Sequence, residues 1–245
     1  MNTEIKFFSY FSEIHFYTFI VSIIFSILLL LLPKILKKLN ITLNFKMYGT
    51  FLGFLILSFK ILDSVYRVIY QYEPLTNVTL VHLCNFAVVF SGLYLIFKKE
   101  ILFNITYFLS FGAIFALILP GVNYYYNPTY VYIFMITHAL EFVAVIYGFY
   151  YLKAIITFKG FKNSCIILLC MFLYAAIYNY IFKIDKINAM FLNDYIAPIV
   201  SFIKPFWLYR IILVSTMLFI MYLMYLPFSK KNHFFIKAIN KEISL

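Results

Sequence analysis

The chain has 245 residues, of which 65% are hydrophobic and only 12% are charged, and its formal net charge is +11. A water-soluble domain of this composition would expose a largely apolar surface, so the composition excludes that class of protein. The excess of basic residues suits contact with anionic lipid, and we expect no nucleic-acid partner because no basic face stands free of the apolar segments.

Apolar segments near the length of a bilayer crossing, about 20 residues, follow one another along the whole chain. We predict an all-α polytopic transmembrane bundle, because backbone polar groups in hydrocarbon must pair within helices. No long polar linker divides the chain, so residues 1–245 are expected to form a single integral membrane domain. The seven predicted spans are 15–32, 47–72, 78–97, 101–120, 129–152, 164–183 and 206–227.

Basic residues are distributed unevenly between the two ends of these spans. With seven spans, thirteen of the twenty basic residues lie at one end and four at the other. The positive-inside rule then predicts an N-terminus outside and a C-terminus in the cytoplasm. A six-span arrangement would move the N-terminus inside and weaken the asymmetry. The thirteen are Lys34, Lys37, Lys38, Lys46, Lys98, Lys99, Lys153, Lys159, Lys162, Lys230, Lys231, Lys237 and Lys241.

The second span carries Lys60, Asp63 and Arg67 at i, i+3 and i+7. This spacing puts all three on one helical face, where they can neutralise one another. Ionisable residues inside spans normally face a bundle interior or a wet cavity. Two interpretations stay open: a structural ion network, or part of a polar pocket, shared with Tyr209 and Arg210, in which Arg67, Lys60 or Arg210 holds a lipid phosphate.

The third and fifth spans carry a cysteine and a histidine at similar depth. The third begins with "LVHLCNFAVVF", which places Cys84 about 9 Å from its outer end. The fifth contains "ITHALEF", which places His138 about 14 Å deep. A thiolate is a strong nucleophile, and an imidazole can take its proton and later return it. We therefore predict acyl transfer through a thioester on Cys84, in one pocket that opens outward.

Other polar residues are candidates for supporting roles in this pocket. His82 and Asn85 can donate hydrogen bonds to an oxyanion. Glu141 lies one turn from the histidine and can either orient its ring or simply accept its proton. Asn179 lies near the outer end of the sixth span, and Tyr209 and Arg210 begin the seventh. The simpler alternatives are that Cys84 only fills space and that the histidine is structural. A zinc site needs about four ligands, so no metal is expected.

Five stretches resemble the bacterial YwaF-type integral membrane proteins, a family similar to the eukaryotic transmembrane protein 164 acyltransferase family. They are "LVHLCNFAVVF", "FGAIFALILPG", "ITHALEF", "YNYIFKIDKINAMFL" and "KPFWLYR". The resemblance implies transfer of a fatty acyl chain between phospholipids, with Cys84 as nucleophile, His138 as base and Asn179 in support. Departures from the family pattern at Leu80-Val81, at Leu119-Pro120 and around 204–209 leave the choice of substrate open.

The predicted function is therefore that of an acyltransferase in the cell membrane, with a phospholipid as acyl donor. The expected acceptor is an outer-leaflet lysophospholipid, a glycolipid or the amine of a lipoprotein. No cofactor is expected, because the energy of the ester is carried into the thioester. Two alternatives stay open. A lipid ester hydrolase would use the same dyad with water as acceptor, and a small transporter or lipid-binding protein would not be an enzyme at all.

Overall fold

The computed structural model describes residues 5–183 and 187–229, which form a bundle of helices. The helices are α1 (Glu13–Lys38), α2 (Phe45–Tyr70), α3 (Leu75–Val78), α4 (Leu83–Phe97), α5 (Glu100–Leu109), α6 (Phe111–Ile118), α7 (Thr129–Tyr150), α8 (Phe158–Ile181) and α9 (Phe206–Tyr225). Short 3-10 helices occupy Ala189–Phe191, Pro198–Val200 and Leu226–Phe228. The strands in the described ranges are β1 (Lys6–Phe7) and β2 (Tyr124–Tyr125), which pair antiparallel.

Five helical segments are long and apolar enough to cross a membrane: α1, α5 with α6, α7, α8 and α9. Helix α4 is apolar but shorter, with 15 residues. Helix α2 has 26 residues and includes the charged face of Lys60, Asp63 and Arg67. These seven segments correspond one by one to the seven predicted spans. The prediction of an all-α bundle is confirmed, and the protein is a multi-pass membrane protein.

The third predicted span begins later than expected. Residues 78–97 were expected to form one helix, but α3 ends at Val78 and α4 begins at Leu83. The break between them is tight, with the Val81 amide donating to the Thr79 carbonyl oxygen at 2.8 Å. As a result, Cys84 is the second residue of a helix and does not lie about 9 Å inside one.

The sixth predicted span begins earlier than expected, at Phe158 instead of residue 164. Thr157 caps the helix, and its Oγ1 accepts a hydrogen bond from the Gly160 amide at 3.0 Å. Threonine at this position is a common helix-start signal, because its hydroxyl satisfies a free amide of the first turn. The basic segment that was predicted as a loop therefore forms the first turns of α8.

The N-terminal strand lies at the same end of the bundle as the loops after α2 and α6. Phe7 pairs with Tyr124 in the two-stranded ribbon. The Tyr126 amide in turn donates to Gln71 Oε1 at 3.3 Å. This arrangement is the one that an alternating seven-helix chain requires.

The loops before α2, between α4 and α5, and after α7 lie together at the opposite end. Tyr151 donates its hydroxyl to the Leu30 carbonyl oxygen at 2.8 Å, and Lys98 Nζ donates to Thr50 Oγ1 at 2.6 Å. This end has most of the described lysines. The predicted cytoplasmic lysines Lys230, Lys231, Lys237 and Lys241, like Lys186 of the other end, lie outside the described residues. The assignment of this end to the cytoplasm stays a prediction from the lysines.

Helices α2 and α4 cross in backbone contact at two glycines. A Cβ atom on Gly53 would lie 2.7 Å from the Gly92 carbonyl oxygen, and a Cβ on Gly92 would lie 3.0 Å from the Gly53 carbonyl oxygen. From this crossing, Lys60 is about 10 Å along α2 and Cys84 about 12 Å along α4, toward the same end of the bundle. The crossing therefore sets the charged face of α2 level with the start of α4.

Candidate functional site

Cys84 lies in the first turn of α4, at the positive end of the helix. His82 is the N-cap residue, and its side chain makes no capping hydrogen bond. Within the described chain, the amides of Leu83 and Cys84 donate to no other residue. A helix N-terminus with free amides stabilises negative charge, either on a thiolate or on an oxyanion beside it.

His138 lies on α7 and is held by one of its two ring nitrogens. Its Nδ1 lies 2.7 Å from the Phe134 carbonyl oxygen, and its ring packs at a tilt against the Phe134 ring with centroids 4.2 Å apart. Its Nε2 is buried and has no hydrogen-bond partner among the described residues. With the proton on Nδ1 donated to that carbonyl, Nε2 presents a free lone pair.

A buried ion pair lies near both the cysteine and the histidine. Lys60 Nζ and Asp63 Oδ2 are 3.1 Å apart, with side chains 8% and 5% exposed. Both members of this pair lie within electrostatic range of Cys84 and of His138. Helices α2, α4 and α7 pack against one another in all three combinations. The three elements therefore converge on one polar cluster inside an otherwise apolar bundle.

Glu141 adds an unpaired carboxyl group to this cluster. It is fully buried, neither of its oxygens has a hydrogen-bond partner in the described structure, and it lies within electrostatic range of Cys84. The sequence suggested that Glu141 could orient the His138 ring, but the Phe134 carbonyl oxygen holds that ring instead. The carboxyl group is therefore free to meet a substrate or an ordered water.

The two polar residues that flank Cys84, His82 and Asn85, differ in their hydrogen bonding. Asn85 uses its amide Nδ2 to bind the Thr79 carbonyl oxygen at 3.2 Å, which closes the break before α4. The His82 ring packs at a tilt against Phe191 with ring centroids 5.0 Å apart, and its buried Nδ1 has no hydrogen-bond partner in the described ranges. Of these two candidate oxyanion donors, His82 is therefore the one with a buried side-chain nitrogen that has no hydrogen-bond partner among the described residues.

A cavity of about 330 Å³ lies at the end of the bundle where α4 begins, and Arg67, Glu73 and His82 line it. Arg67 binds Glu73 through two bonds, Nε to Oε1 at 3.0 Å and Nη2 to Oε2 at 2.6 Å, and Nη2 also donates to the Asn77 carbonyl oxygen. The predicted mutual neutralisation on α2 therefore holds for Lys60 and Asp63 but not for Arg67. Glu73 lies in the "YEPLTN" segment after α2, outside the predicted spans, where helical spacing does not mark it as a partner of Arg67.

Asn179 does not reach the polar cluster. Its Oδ1 accepts from the Ala189 amide at 2.8 Å and its Nδ2 donates to the Ala189 carbonyl oxygen at 3.1 Å. The next amide, that of Met190, donates to the Val81 carbonyl oxygen at 2.9 Å. Asn179 thus fixes a segment that lies directly on the break before α4.

Tyr209 and Arg210 have the same role further along the segment between α8 and α9. The Tyr209 hydroxyl accepts from the Ile196 amide at 2.8 Å, and Arg210 Nε donates to the Leu192 carbonyl oxygen at 2.8 Å. The structure therefore does not bring these two side chains to Cys84 and His138. They anchor the segment that covers the start of α4.

All three cysteines are free: Cys84 is partly buried, as is Cys165, and Cys170 is exposed. Within residues 5–183 and 187–229, no group of three or more His, Cys, Asp or Glu side chains is arranged to hold a metal ion.

The fold and the site define a multi-pass helical membrane protein with a cysteine and a histidine beside a buried ion pair. The chain belongs to the TMEM164 family, whose sequence pattern matches residues 10–225. An uncharacterized protein of Treponema pallidum (strain Nichols) is 30% identical over 223 residues, which is 91% of each chain. No solved structure matches the chain. The family resemblance inferred from the sequence is confirmed.

Proposed function

We propose that the protein is a membrane acyltransferase that moves a fatty acyl chain from a phospholipid, through a thioester on Cys84, to a second lipid or a lipoprotein. The observation that carries this proposal is the state of His138. Its Nδ1 is held by the Phe134 carbonyl oxygen, while Nε2 is buried and unpartnered, beside an ion pair that is also in electrostatic range of Cys84. An imidazole in this state suits a general base.

The first half-reaction forms the thioester. His138 Nε2 takes the proton of the Cys84 thiol, and the sulfur attacks the ester carbonyl carbon of the phospholipid. The amides of Leu83 and Cys84, which donate to no other described residue, support the resulting oxyanion. The carbon–oxygen ester bond then breaks, and the leaving lysophospholipid oxygen takes the proton from the imidazole.

The second half-reaction regenerates the thiol. The hydroxyl or amine of the acceptor loses its proton to His138 Nε2 and attacks the thioester carbonyl carbon. The carbon–sulfur bond breaks, and the Cys84 sulfur takes the proton back. A lysophospholipid, a glycolipid or a lipoprotein amine in the outer leaflet satisfies this chemistry, and no cofactor is needed because the acyl group stays activated throughout.

Arg67 is suited to hold the phosphate of the lipid donor. Its guanidinium lines the cavity, and Glu73 and the Asn77 carbonyl oxygen occupy only Nε and Nη2. The remaining terminal nitrogen, Nη1, donates to no described residue. Guanidinium matches phosphate geometry, so this nitrogen can position the headgroup while the ester reaches toward Cys84.

Intact-protein mass spectrometry after incubation with a defined phospholipid tests the proposal. The wild-type protein should gain the mass of one acyl chain, and hydroxylamine should remove it. Cys84→Ala should gain nothing, and His138→Gln should acylate about 10²–10⁴ times more slowly because the general base is lost. Cys170→Ser is the matched control and should acylate at the wild-type rate.

Lipid conversion that persists in Cys84→Ala would overturn the covalent mechanism. Rapid release of free fatty acid without any added acceptor would show that water is the acceptor and that the same dyad belongs to a hydrolase. Absence of both adduct and conversion across a broad lipid panel would favour a non-enzymatic lipid-binding or transport role.

A further inference from the structure

A second cavity, of about 340 Å³, lies at the opposite end of the bundle from Cys84. It is bounded by the first turn of α2, the end of α4, the start of α5 and the segment after α7. Pockets for small molecules typically have volumes of about 300–1,000 Å³, so this cavity is large enough for a ligand group. Its charged lining residues are Lys46, Lys98, Lys153 and Glu100.

Tyr94 supplies the observation that points to a ligand. It lines this cavity, it is only 2% exposed, and its hydroxyl has no hydrogen-bond partner among the described residues. A buried tyrosine hydroxyl normally finds a partner. Gly148 leaves room for this hydroxyl, because a Cβ atom there would lie 2.9 Å from it. A hydrogen-bond acceptor beside this hydroxyl would supply the partner that it lacks.

Lys98 lines the same cavity, and hydrogen bonds hold its ammonium group in place. Its Nζ donates to Thr50 Oγ1 at 2.6 Å and to the Ile96 carbonyl oxygen at 3.1 Å, which leaves one of its three N–H groups free. Burial and the neighbouring Lys46 lower the pKa of Lys98. Anionic oxygens in the cavity would offset the repulsion between these two lysines.

The wall of the cavity is held in place by the protein itself. Asn104 donates to the Ile155 carbonyl oxygen at 3.1 Å and accepts from the Thr157 amide at 3.0 Å. The Ala154 amide donates to the Gly148 carbonyl oxygen at 2.9 Å. The segment that carries Lys153 is therefore held by the protein's own hydrogen bonds, which lowers the entropic cost of binding.

We propose that this cavity binds a phosphate group, and specifically the phosphate of an anionic lipid headgroup at the lysine-rich membrane surface. Three ammonium groups against one carboxylate favour an anion, and the Tyr94 hydroxyl and the free N–H of Lys98 donate to its oxygens. The cavity is remote from Cys84, so the bound lipid is a ligand distinct from the acyl donor. A soluble phosphate ester offers the same oxygens and is the alternative source.

Titration of the purified full-length protein in neutral detergent, followed by its thermal unfolding midpoint, tests this site. Dioctanoyl phosphatidylglycerol should raise the midpoint saturably, because a ligand that binds only the folded state stabilises it. Dioctanoyl phosphatidylcholine and glycerol 3-phosphate, at the same concentrations, should produce little or no rise. Tyr94→Phe removes only the unpartnered hydroxyl and should keep the fold, while Lys153→Gln removes one charge.

Each of these two variants should weaken the apparent affinity for phosphatidylglycerol about tenfold, the effect of losing one charged or well-placed hydrogen bond. Lys37→Gln, which removes an exposed lysine from the same end outside the cavity, should leave the affinity unchanged. Equal affinity in Tyr94→Phe, Lys153→Gln and Lys37→Gln would overturn the site, as would the absence of any shift with phosphatidylglycerol. An equal shift with glycerol 3-phosphate, lost in the same two variants, would support a phosphate site but overturn its assignment to lipid.

Discussion

At the residue scale, the polar cluster around Cys84 contains several buried polar atoms that have no hydrogen-bond partner among the described residues. Neither carboxylate oxygen of Glu141, nor Nε2 of His138, nor Oδ1 of Asp63 has a partner in the described chain. A buried polar group without a partner destabilises the folded state by about 1–3 kcal/mol. Groups of this kind persist where they serve a substrate, so the cluster is where stability and activity should conflict.

Replacing Glu141 with methionine tests that conflict directly. Glu141→Met keeps the side-chain length and removes both unpaired oxygens, so we expect the unfolding free energy to rise by about 1–3 kcal/mol. The rate at which Cys84 acquires an acyl group should fall in the same variant. Thermal unfolding in neutral detergent and intact-mass kinetics measure the two effects.

Asp63→Leu is the matched comparison, because it removes a buried carboxylate that does have a partner. Lys60 would then be left as an unpaired buried charge, so stability should fall by about 3–5 kcal/mol. If both variants destabilise the protein to the same extent, Glu141 is held by interactions of the same strength as those of Asp63, and its carboxyl group is not free.

The sequence indicated individual residues of the candidate site better than it indicated their hydrogen-bond partners. Cys84, His138 and the Lys60–Asp63 pair could be found in the sequence, because polar groups stand out in apolar segments and helical spacing sets which ones share a face. The pairing of Arg67 with Glu73 could not, since it depends on how the chain folds back after α2. Asn179 and its hydrogen bonds to Ala189 depend on the path of a loop, which periodicity does not describe.

At the element scale, the close crossing of α2 and α4 controls the geometry of the site. Gly53 and Gly92 let the two backbones touch, and this contact sets Lys60 and Asp63 beside the first turn of α4. Small residues serve this purpose in membrane helices, where packing replaces the hydrophobic effect as the source of association. A side chain at the crossing would push apart the two helices that carry the ion pair and the cysteine.

Gly92→Ala should therefore destabilise the protein and impair the site together. The added Cβ would lie 2.6 Å from Leu57 Cγ and 3.0 Å from the Gly53 carbonyl oxygen, so the Leu57 side chain must move and the two backbones must shift slightly apart. We expect a loss of about 1–3 kcal/mol in unfolding free energy, typical of overpacking, and slower acylation of Cys84.

Gly121→Ala is the control for this prediction, because nothing lies within 4 Å of a Cβ atom at that position. Its unfolding free energy should stay within about 0.5 kcal/mol of the wild type. A Gly92→Ala variant as stable and as active as Gly121→Ala would mean that the crossing tolerates a wider separation than the structure has.

The apolar segments predicted where the helices lie, but they did not predict where α4 and α8 begin. The break before α4 lies in "TLVH", which contains no proline or glycine and therefore gives no local stop signal. It forms because the Asn85 side chain and the Met190 amide bind the Thr79 and Val81 carbonyl oxygens, and the second of these contacts comes from a distant part of the chain. By contrast, the early start of α8 at Thr157 had a readable capping residue.

At the scale of the whole molecule, the two ends of the bundle differ in charge and in the kind of cavity they contain. The end with β1 and β2 has a cavity lined by Arg67, Glu73 and His82. The other end has the cavity with three lysines. The positive-inside rule predicts that the lysine-rich end faces the cytoplasm, and the Cys84 site would then lie toward the outer leaflet.

Single cysteines introduced at the two ends test this orientation in intact cells. In a variant with Cys84, Cys165 and Cys170 replaced by serine, Gly121→Cys should react with a membrane-impermeant maleimide from outside. Lys99→Cys should react only after permeabilisation, because its end is predicted to face the cytoplasm. The reverse pattern would invert the orientation and place the proposed acyl acceptor in the inner leaflet.

Helix α1 has a stripe of small polar residues that bears on how the chain is assembled during synthesis. Thr18, Ser22 and Ser26 are buried where α1 packs on α7, yet each hydroxyl donates to a carbonyl oxygen of α1 itself. Helix α1 leaves the ribosome well before α7, so it must wait in lipid without its main neighbour. Because these three hydroxyls are already satisfied within α1, this interval in lipid costs little free energy. Among the buried polar side chains of α1 that the structure describes, His15 pairs with a later helix, through its Nε2 and the Leu117 carbonyl oxygen. Helix α1 can therefore remain in the bilayer by itself until α7 has been synthesised and packs against it.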